Sequence, residues 1–281
     1  VAIFAVCAIT LYMVIKGAPA LNEVGGIDLL FGKTWKPTAS NPSYGIWYII
    51  LSSIVGTFAA ILIGVPIGLM TAVFISEMAG KKIGNIVRGA VEVLAGVASV
   101  IDGLIGMMVL NPLMFKIEKI IYAGDSTHQY TGGSNMLSAI IVLAIMILPT
   151  VISVSTSSLK AVSDNIRAAS LALGATKEQT IFKTVIPAAK SGILTGVVLG
   201  IGRALGEAMA INMVAGGAVN IPLPFNSVRT LTTQIVSEMG YAGGLQRKVL
   251  FTVGLVLYVF IMVVNFVLLK ARKVGAKDGN S

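Results

Sequence analysis

The sequence predicts an all-α polytopic membrane protein with six transmembrane helices and both termini in the cytosol. Three observations carry that prediction. The first is composition: of 281 residues, 56% are hydrophobic and 12% charged, where a soluble domain carries roughly 25% charged residues. The second is the gathering of apolar residues into six long runs, at about 1–15, 46–78, 87–110, 137–155, 188–216 and 249–269, most of them near the roughly 20 residues that cross a bilayer. The third is the placement of Lys and Arg at the ends of those runs. If the loop after the second span, the loop from Lys160 to Lys190 and the C-terminal tail share one side, that side holds twelve Lys and Arg. The other side holds eight, in longer loops. Basic residues stay cytosolic during insertion, so the count puts both termini and the 160–190 loop in the cytosol.

A net charge of +9 would suggest a nucleic-acid partner in a soluble protein. Here the cations sit at span ends with no aromatic-basic module, so no nucleic acid is expected. The single cysteine, Cys7, lies in an apolar run and excludes a disulfide framework. The sole histidine, His128, sits in a polar loop, so no His-rich metal site or His-based triad is expected.

The chain opens on Val1, and 1–15 reads as the remainder of a first span rather than the apolar part of a signal peptide ending near Ala18-Pro19-Ala20. Either reading leaves the polar connection from Lys16 to Tyr44 outside. Its Gly32-Lys33-Thr34 lacks the glycine five positions earlier that a phosphate-binding loop needs, since position 27 is Ile. No ATP site is therefore expected on this chain. The second span has Gly64, Pro66 and Gly68 to permit a bend, and Pro149 interrupts the fourth. The third span carries two carboxylates. Glu92, one turn from Arg88, reads as half of a near-interface ion pair. Asp102, roughly 21 Å further along a continuous helix, is expected to pair with a basic group, on this chain or a second subunit.

Two stretches carry the functional signal. In the first, Ser163 and Asp164 can cap a short helix that ends at Gly174, and Thr176 with Gln179 has the spacing of a capping box for a second helix. Small or apolar residues fall at Ile166, Ala169, Ser170 and Leu173, then at Ile181, Phe182 and Val185, while Arg167, Lys177, Lys183 and Lys190 keep the segment in water. Such faces suit a plug for a cleft on a cytosolic partner; the spacing alone equally suits an interfacial hairpin between spans. In the second stretch, Gly196, Gly200, Arg203 and Glu207 fall on one helical stripe, with Arg203 roughly 18 Å beyond Ser191. An intramembrane guanidinium can meet an oxyanion with forked hydrogen bonds, and Glu207 can hold it in place and ease release. A structural ion pair sealed between packed helices fits the same spacing.

At these residues the chain resembles a known family. Ala168-Ala169-Ser170, Gly174 and Ile186-Pro187 are similar to the cytoplasmic coupling loop of ABC-transporter permeases, whose pattern runs Glu-Ala-Ala, three residues, Gly, then about a dozen residues to Leu-Pro. Ala168 stands where that pattern has Glu, which removes a charge that could pair with the ATPase. The continuation Gly202-Arg203-Ala204-Leu205-Gly206-Glu207 resembles phosphate-specific permeases. Segments after the fifth span, such as Val228-Arg229-Thr230-Leu231-Thr232, resemble the C-type more than the A-type subunit. In the third span the chain has Ala98 where that family usually has a proline, and Asp102 where an aromatic is expected.

The resemblance implies one transmembrane permease domain over 1–281 with the type I ABC importer fold and a cytosolic coupling loop at 156–187. It implies no enzyme activity and no cofactor on this chain, ATP and Mg being used by a partner ATPase. The implied partners are a sister permease (PstA-like), an ABC ATPase dimer (PstB-like), an extracytoplasmic phosphate-binding protein (PstS-like) and membrane lipid, in the cytoplasmic membrane of a prokaryote. The implied roles are substrate pathway for Arg203 and Glu207, and ATPase coupling for Arg167, Ala168, Ala169, Ser170, Gly174 and Pro187. Readings from other classes are a permease for another oxyanion, a secondary ion-coupled phosphate carrier using Asp102 or Glu207, and a membrane enzyme acting on phosphorylated lipids. The last would need an acidic metal-binding cluster near the membrane surface, and the sequence has none.

Overall fold

The computed structural model describes residues 2–124 and 126–277. In chain order it contains α1 (Ala2–Val24), α2 (Gly26–Phe31), the short strands β1 (Trp35–Lys36) and β2 (Ser43–Tyr44), α3 (Trp47–Val73), α4 (Lys81–Gly96), α5 (Ser99–Ile105) and α6 (Asn111–Ile121). There follow α7 (Met136–Lys160), α8 (Asp164–Ala172), α9 (Lys177–Thr180), α10 (Ile186–Gly206), α11 (Met209–Val214), α12 (Leu231–Glu238) and α13 (Gly244–Lys277). Turns of π-helix continue α3 to Met78, join α5 to α6, and join α9 to α10. Among the described residues six stretches are long and apolar enough to cross a membrane: Ile3–Val24, Trp47–Met78, Ser99–Ile121, Met136–Lys160, Lys177–Gly206 and Gly244–Leu268.

Three of these differ from the sequence expectation. The first runs on to Val24, so Lys16 to Val24, read from the sequence as part of a polar connection, continues α1. The apolar run at 87–110 is not one helix. Helix α4 stops at Gly96, Val97 is extended (φ −69°, ψ 134°), and the spanning stretch begins at Ser99. Gly96 weakens the helix locally, while Ser99-Val100-Ile101-Asp102 has the spacing of a helix start. Asp102 therefore lies in the first turn of α5, where a carboxylate is favoured by the helix dipole, and not deep in a helix continuous with Arg88. The fifth stretch starts earlier, at Lys177, and stops at Gly206. Pro187 has no N–H to donate one turn back, and the turn before it, Ile181–Val185, opens to π.

The chain packs as two compact units. One comprises residues up to Phe58, Ser99–Leu143 and Leu205–Met262. Its core gathers Ala20, Leu29, Tyr44, Ile46, Ile49, Leu231, Val249 and Val253. Helix α1 meets α13 at Gly17, where an added Cβ would stand 3.0 Å from the backbone N of Thr252, and the Thr252 hydroxyl donates to the Gly17 carbonyl at 2.7 Å. Gly103 on α5 lets the backbone of α11 approach at Ala210. In the same unit the carboxylate of Glu238 accepts from Trp35, Arg229 and Gln246, and the fully buried Glu118 accepts from Thr131 and faces His128 Nε2 at 2.9 Å.

The other unit comprises Ala59–Ala98, Ala144–Ala204 and the chain from Val263 on. Its core is Ala72, Val73, Leu159, Ile181, Val185, Ala189 and Ile193. Here α10 lies along α7 through glycines one turn apart. A Cβ at Gly192 would strike Ser158, one at Gly196 would stand 3.1 Å from Val154 Cβ, and one at Gly200 would stand 2.9 Å from Val151 Cγ2. Small residues at every fourth position let membrane helices pack backbone to backbone.

Candidate functional site

The segment after α7 folds as two short helices around a glycine. The Ser163 side chain accepts the Asn165 N–H and starts α8. Gly174 then takes φ +84° in open space, a conformation that costs most other residues roughly 1–2 kcal/mol. Thr176 and Gln179 close a reciprocal capping box on α9. No residue of α8 is buried. Ala168 and Ala169 are exposed, and Leu173 is 89% exposed. Ser170 turns inward, its hydroxyl 3.0 Å from that of Thr180. Ile181 and Val185, grouped by the sequence with the outward face, are instead buried in their own unit's core. The apolar groups left outside are Ile166, Leu171, Leu173 and Phe182.

Arg167 behaves differently from the solubilising role its charge suggests. Its guanidinium grips Glu77 with two bonds, Nη2 to Oε1 at 2.9 Å and Nε to Oε2 at 3.3 Å. It also donates to the carbonyls of Leu159 and Val162 and to Asp164. One side chain thus ties α8 to the last turn of the α3 stretch and to the end of α7. The bonds donated to Glu77 raise the Arg167 pKa above the ordinary arginine value, so the group stays charged throughout the physiological range. Glu77 is the residue that sequence reasoning missed. Pro187 is exposed in the first turn of α10, a position that tolerates proline.

The stripe read along the fifth span divides. Gly196 and Gly200 are spent on packing against α7, so they do not line an open passage. Arg203 stands half-buried in the last turn of α10. Glu207 is off the helix: α10 ends at Gly206 and α11 begins at Met209. The Glu207 Oε1 accepts the Ala210 N–H at 2.9 Å, and its carbonyl accepts the Thr232 hydroxyl at 2.8 Å. From one position before the N-cap residue Ala208, its carboxylate ties down the first turn of α11 instead of extending the stripe. Glu92 pairs with Arg88 at 3.0 Å, both side chains more than half exposed. Asp102 is half-buried and has an interaction of its own. Among the described residues no group of three or more His, Cys, Asp or Glu gathers to hold a metal.

Comparison with known proteins shows what the chain is similar to. The family model described as binding-protein-dependent transport system inner membrane component matches residues 64–271. The chain is 37% identical, over 95% of its length, to 86% of the probable ABC transporter permease protein YqgH of Bacillus subtilis. It is 32% identical, over 85% of its length, to 77% of the phosphate transport system permease protein PstC of Pasteurella multocida. Among solved structures, a chain of a bacterial ABC transporter involved in the import of the acidic polysaccharide alginate superposes with TM-score 0.60 at 14% identity, covering 94% of this chain and 91% of that one. A chain of the MetNI methionine ABC transporter, in an inward facing conformation, gives TM-score 0.55 at 21% identity, covering 82% and 94%. At these identities the structural likeness shows the fold, that of type I ABC importer permeases.

Proposed function

The chain belongs to the binding-protein-dependent transport system inner membrane component family, and from that premise we propose that it is the permease subunit of an ATP-driven phosphate importer. Phosphate is proposed because relatives at 30–32% identity over most of the chain are named phosphate transport system permease proteins. The observation that carries the coupling reading is the loop itself. An exposed helix, hinged at a positive-φ glycine and pinned by one guanidinium to two membrane helices, is a lever with a free outer face and a fixed inner one.

In this reading the exposed patch of Ala168, Ala169, Leu173 and Phe182 docks on a separate ABC ATPase dimer, which binds ATP and Mg; this chain binds no cofactor. Closure of the ATPases moves α8, and Arg167 passes the movement to Glu77 and the ends of α3 and α7. With a sister permease the chain forms the passage, and an external binding protein delivers phosphate. The Arg203 guanidinium meets the anion with forked, charge-assisted hydrogen bonds. Glu207 holds the break at which the arginine's helix ends. The assembly sits in the cytoplasmic membrane with this loop inside.

The test is uptake by the reconstituted complex of both permeases, the ATPase and the binding protein. Arg203→Ala is expected to abolish ATP-dependent phosphate uptake while all subunits still co-purify. Normal uptake by that variant would remove Arg203 from the pathway.

A further inference from the structure

A cleft that the coupling scheme leaves unused opens in the second unit, between α4 and the C-terminal turns of α7. It is small, about 40 Å³ and partly open to solvent, well below the roughly 300–1,000 Å³ of drug-sized sites, so it suits a small ion or a single headgroup and not a larger ligand. Helix α7 supplies Ser153, Thr156, Ser157 and Lys160, which share one helical face by their three- and four-residue spacing. Helix α4 supplies Arg88 and Glu92, and three aliphatic side chains complete the lining. Arg88 and Lys160 against Glu92 leave one net positive charge.

Two details point to a ligand. Thr156 is only 5% exposed, yet its hydroxyl has no hydrogen-bond partner among the described residues. A buried polar group left unmatched costs about 1–3 kcal/mol, and an acceptor entering the cleft would relieve it. Ser157 already donates to the Ser153 carbonyl at 3.0 Å, so Thr156 is the hydroxyl in need. The second detail is the Arg88–Glu92 pair, 55% and 66% exposed on its two side chains. Pairs this exposed are worth about 0–1 kcal/mol. An oxyanion can therefore draw the guanidinium away at little cost, and Lys160 adds an ammonium opposite.

We propose that this cleft is a weak oxyanion site on the cytosolic side that takes a phosphate group, either of inorganic phosphate leaving the passage or of an anionic lipid headgroup. Guanidinium, ammonium and hydroxyl are the donors a phosphate group requires. Glu92 beside Arg88 and the negative end of the α7 dipole oppose the anion, so the site holds loosely and releases readily. The identity of the free anion rests on the importer reading; the donor set does not.

The experiment uses the complex of both permeases and the ATPase, without the binding protein, carrying Arg203→Ala to silence the pathway guanidinium. It is placed in nanodiscs of phosphatidylcholine alone, or of phosphatidylcholine with phosphatidylglycerol. Radiolabelled inorganic phosphate is titrated into the millimolar range by equilibrium dialysis, and phosphatidylglycerol retained through delipidation is measured by mass spectrometry. Lys160→Gln is expected to weaken the bound species about tenfold, and the near-isosteric Thr156→Val to weaken it less. Phosphate binding that is insensitive to phosphatidylglycerol assigns the site to the free anion; retained phosphatidylglycerol that Lys160→Gln releases assigns it to the headgroup. If the assembled complex binds neither, or if both variants behave like their parent, the site is refuted. Uptake by the wild-type complex with its binding protein is measured alongside. Normal uptake with an inert cleft sinks this proposal alone, whereas absent uptake with a responsive cleft sinks the importer reading and leaves the oxyanion site standing.

Discussion

In the proposed importer Arg167 and Gly174 divide the work of the loop between a fixed end and a hinge, and each makes a separate demand on chemistry. The Arg167 side chain is 20% exposed and that of Glu77 9%, so the pair is well shielded from solvent. Breaking a fully buried pair costs about 3–5 kcal/mol, and this partly exposed one should cost less. Glu77→Gln is expected to leave the complex assembled and ATP hydrolysis running while phosphate transported per ATP falls. Gly174→Val should lower the same ratio, because a β-branched residue is strained at φ +84°. Simultaneous measurement of uptake and hydrolysis decides both, and a ratio equal to wild type in Glu77→Gln would unseat Arg167 as the anchor. The caps at Ser163, Thr176 and Gln179 were legible in the sequence because cap chemistry is local, fixed by residues two or three positions apart. Glu77 was not, for it meets Arg167 across ninety positions, and nothing in the local pattern of either residue announces the other.

The element most altered from the sequence reading is the fifth span. Its period continues through Glu207, so pattern alone extends the helix. The carboxylate instead turns to accept the Ala210 N–H, and glutamate is not among the preferred capping residues, so no cap signal marks the break. The glycines at 192, 196 and 200 did carry a readable signal, small residues at every fourth position, which denotes helix packing before it denotes a passage. The third span shows the same limit: the apolar run hid the break at Val97 because hydropathy does not register backbone conformation. If the Glu207 carboxylate holds the start of α11 through the Ala210 N–H, Glu207→Ala should cost about 1.5–3 kcal/mol, the worth of a hydrogen bond to a charged group, read as a melting midpoint lowered by a few degrees. Glu207→Gln keeps an oxygen acceptor and should recover part of that loss. Equal midpoints for Ala and Gln would deny that hold. Uptake that follows the charge while the midpoint follows the oxygen would give the carboxylate a second task at the passage.

At the scale of the whole molecule, composition and charge placement made six spans legible, because crossing a bilayer imposes a length and an apolarity that any helix must meet. What they could not distinguish is the source of energy. A secondary carrier would need a carboxylate in the passage that binds and releases the driving ion, and Asp102 and Glu207 are the residues the sequence offers. Glu207 is committed to α11, and Asp102 sits in the first turn of α5 with an interaction of its own. The helix pair around Gly174, by contrast, leaves Ala168, Ala169, Leu173 and Phe182 exposed, the face that the proposed importer docks on its ATPase. Proteoliposomes holding the complete complex, with ATP enclosed on the ATPase side, are therefore expected to take up phosphate at an undiminished rate after a protonophore collapses the proton gradient. Depleting the enclosed ATP should stop uptake with the gradient intact. The reverse pattern, in which the protonophore halts uptake while ATP remains, would make the lever an ordinary interfacial hairpin and move the coupling into the membrane. The two outcomes differ by the whole signal and do not depend on which oxyanion the passage prefers, so the comparison holds even if arsenate or another tetrahedral anion proves the better substrate.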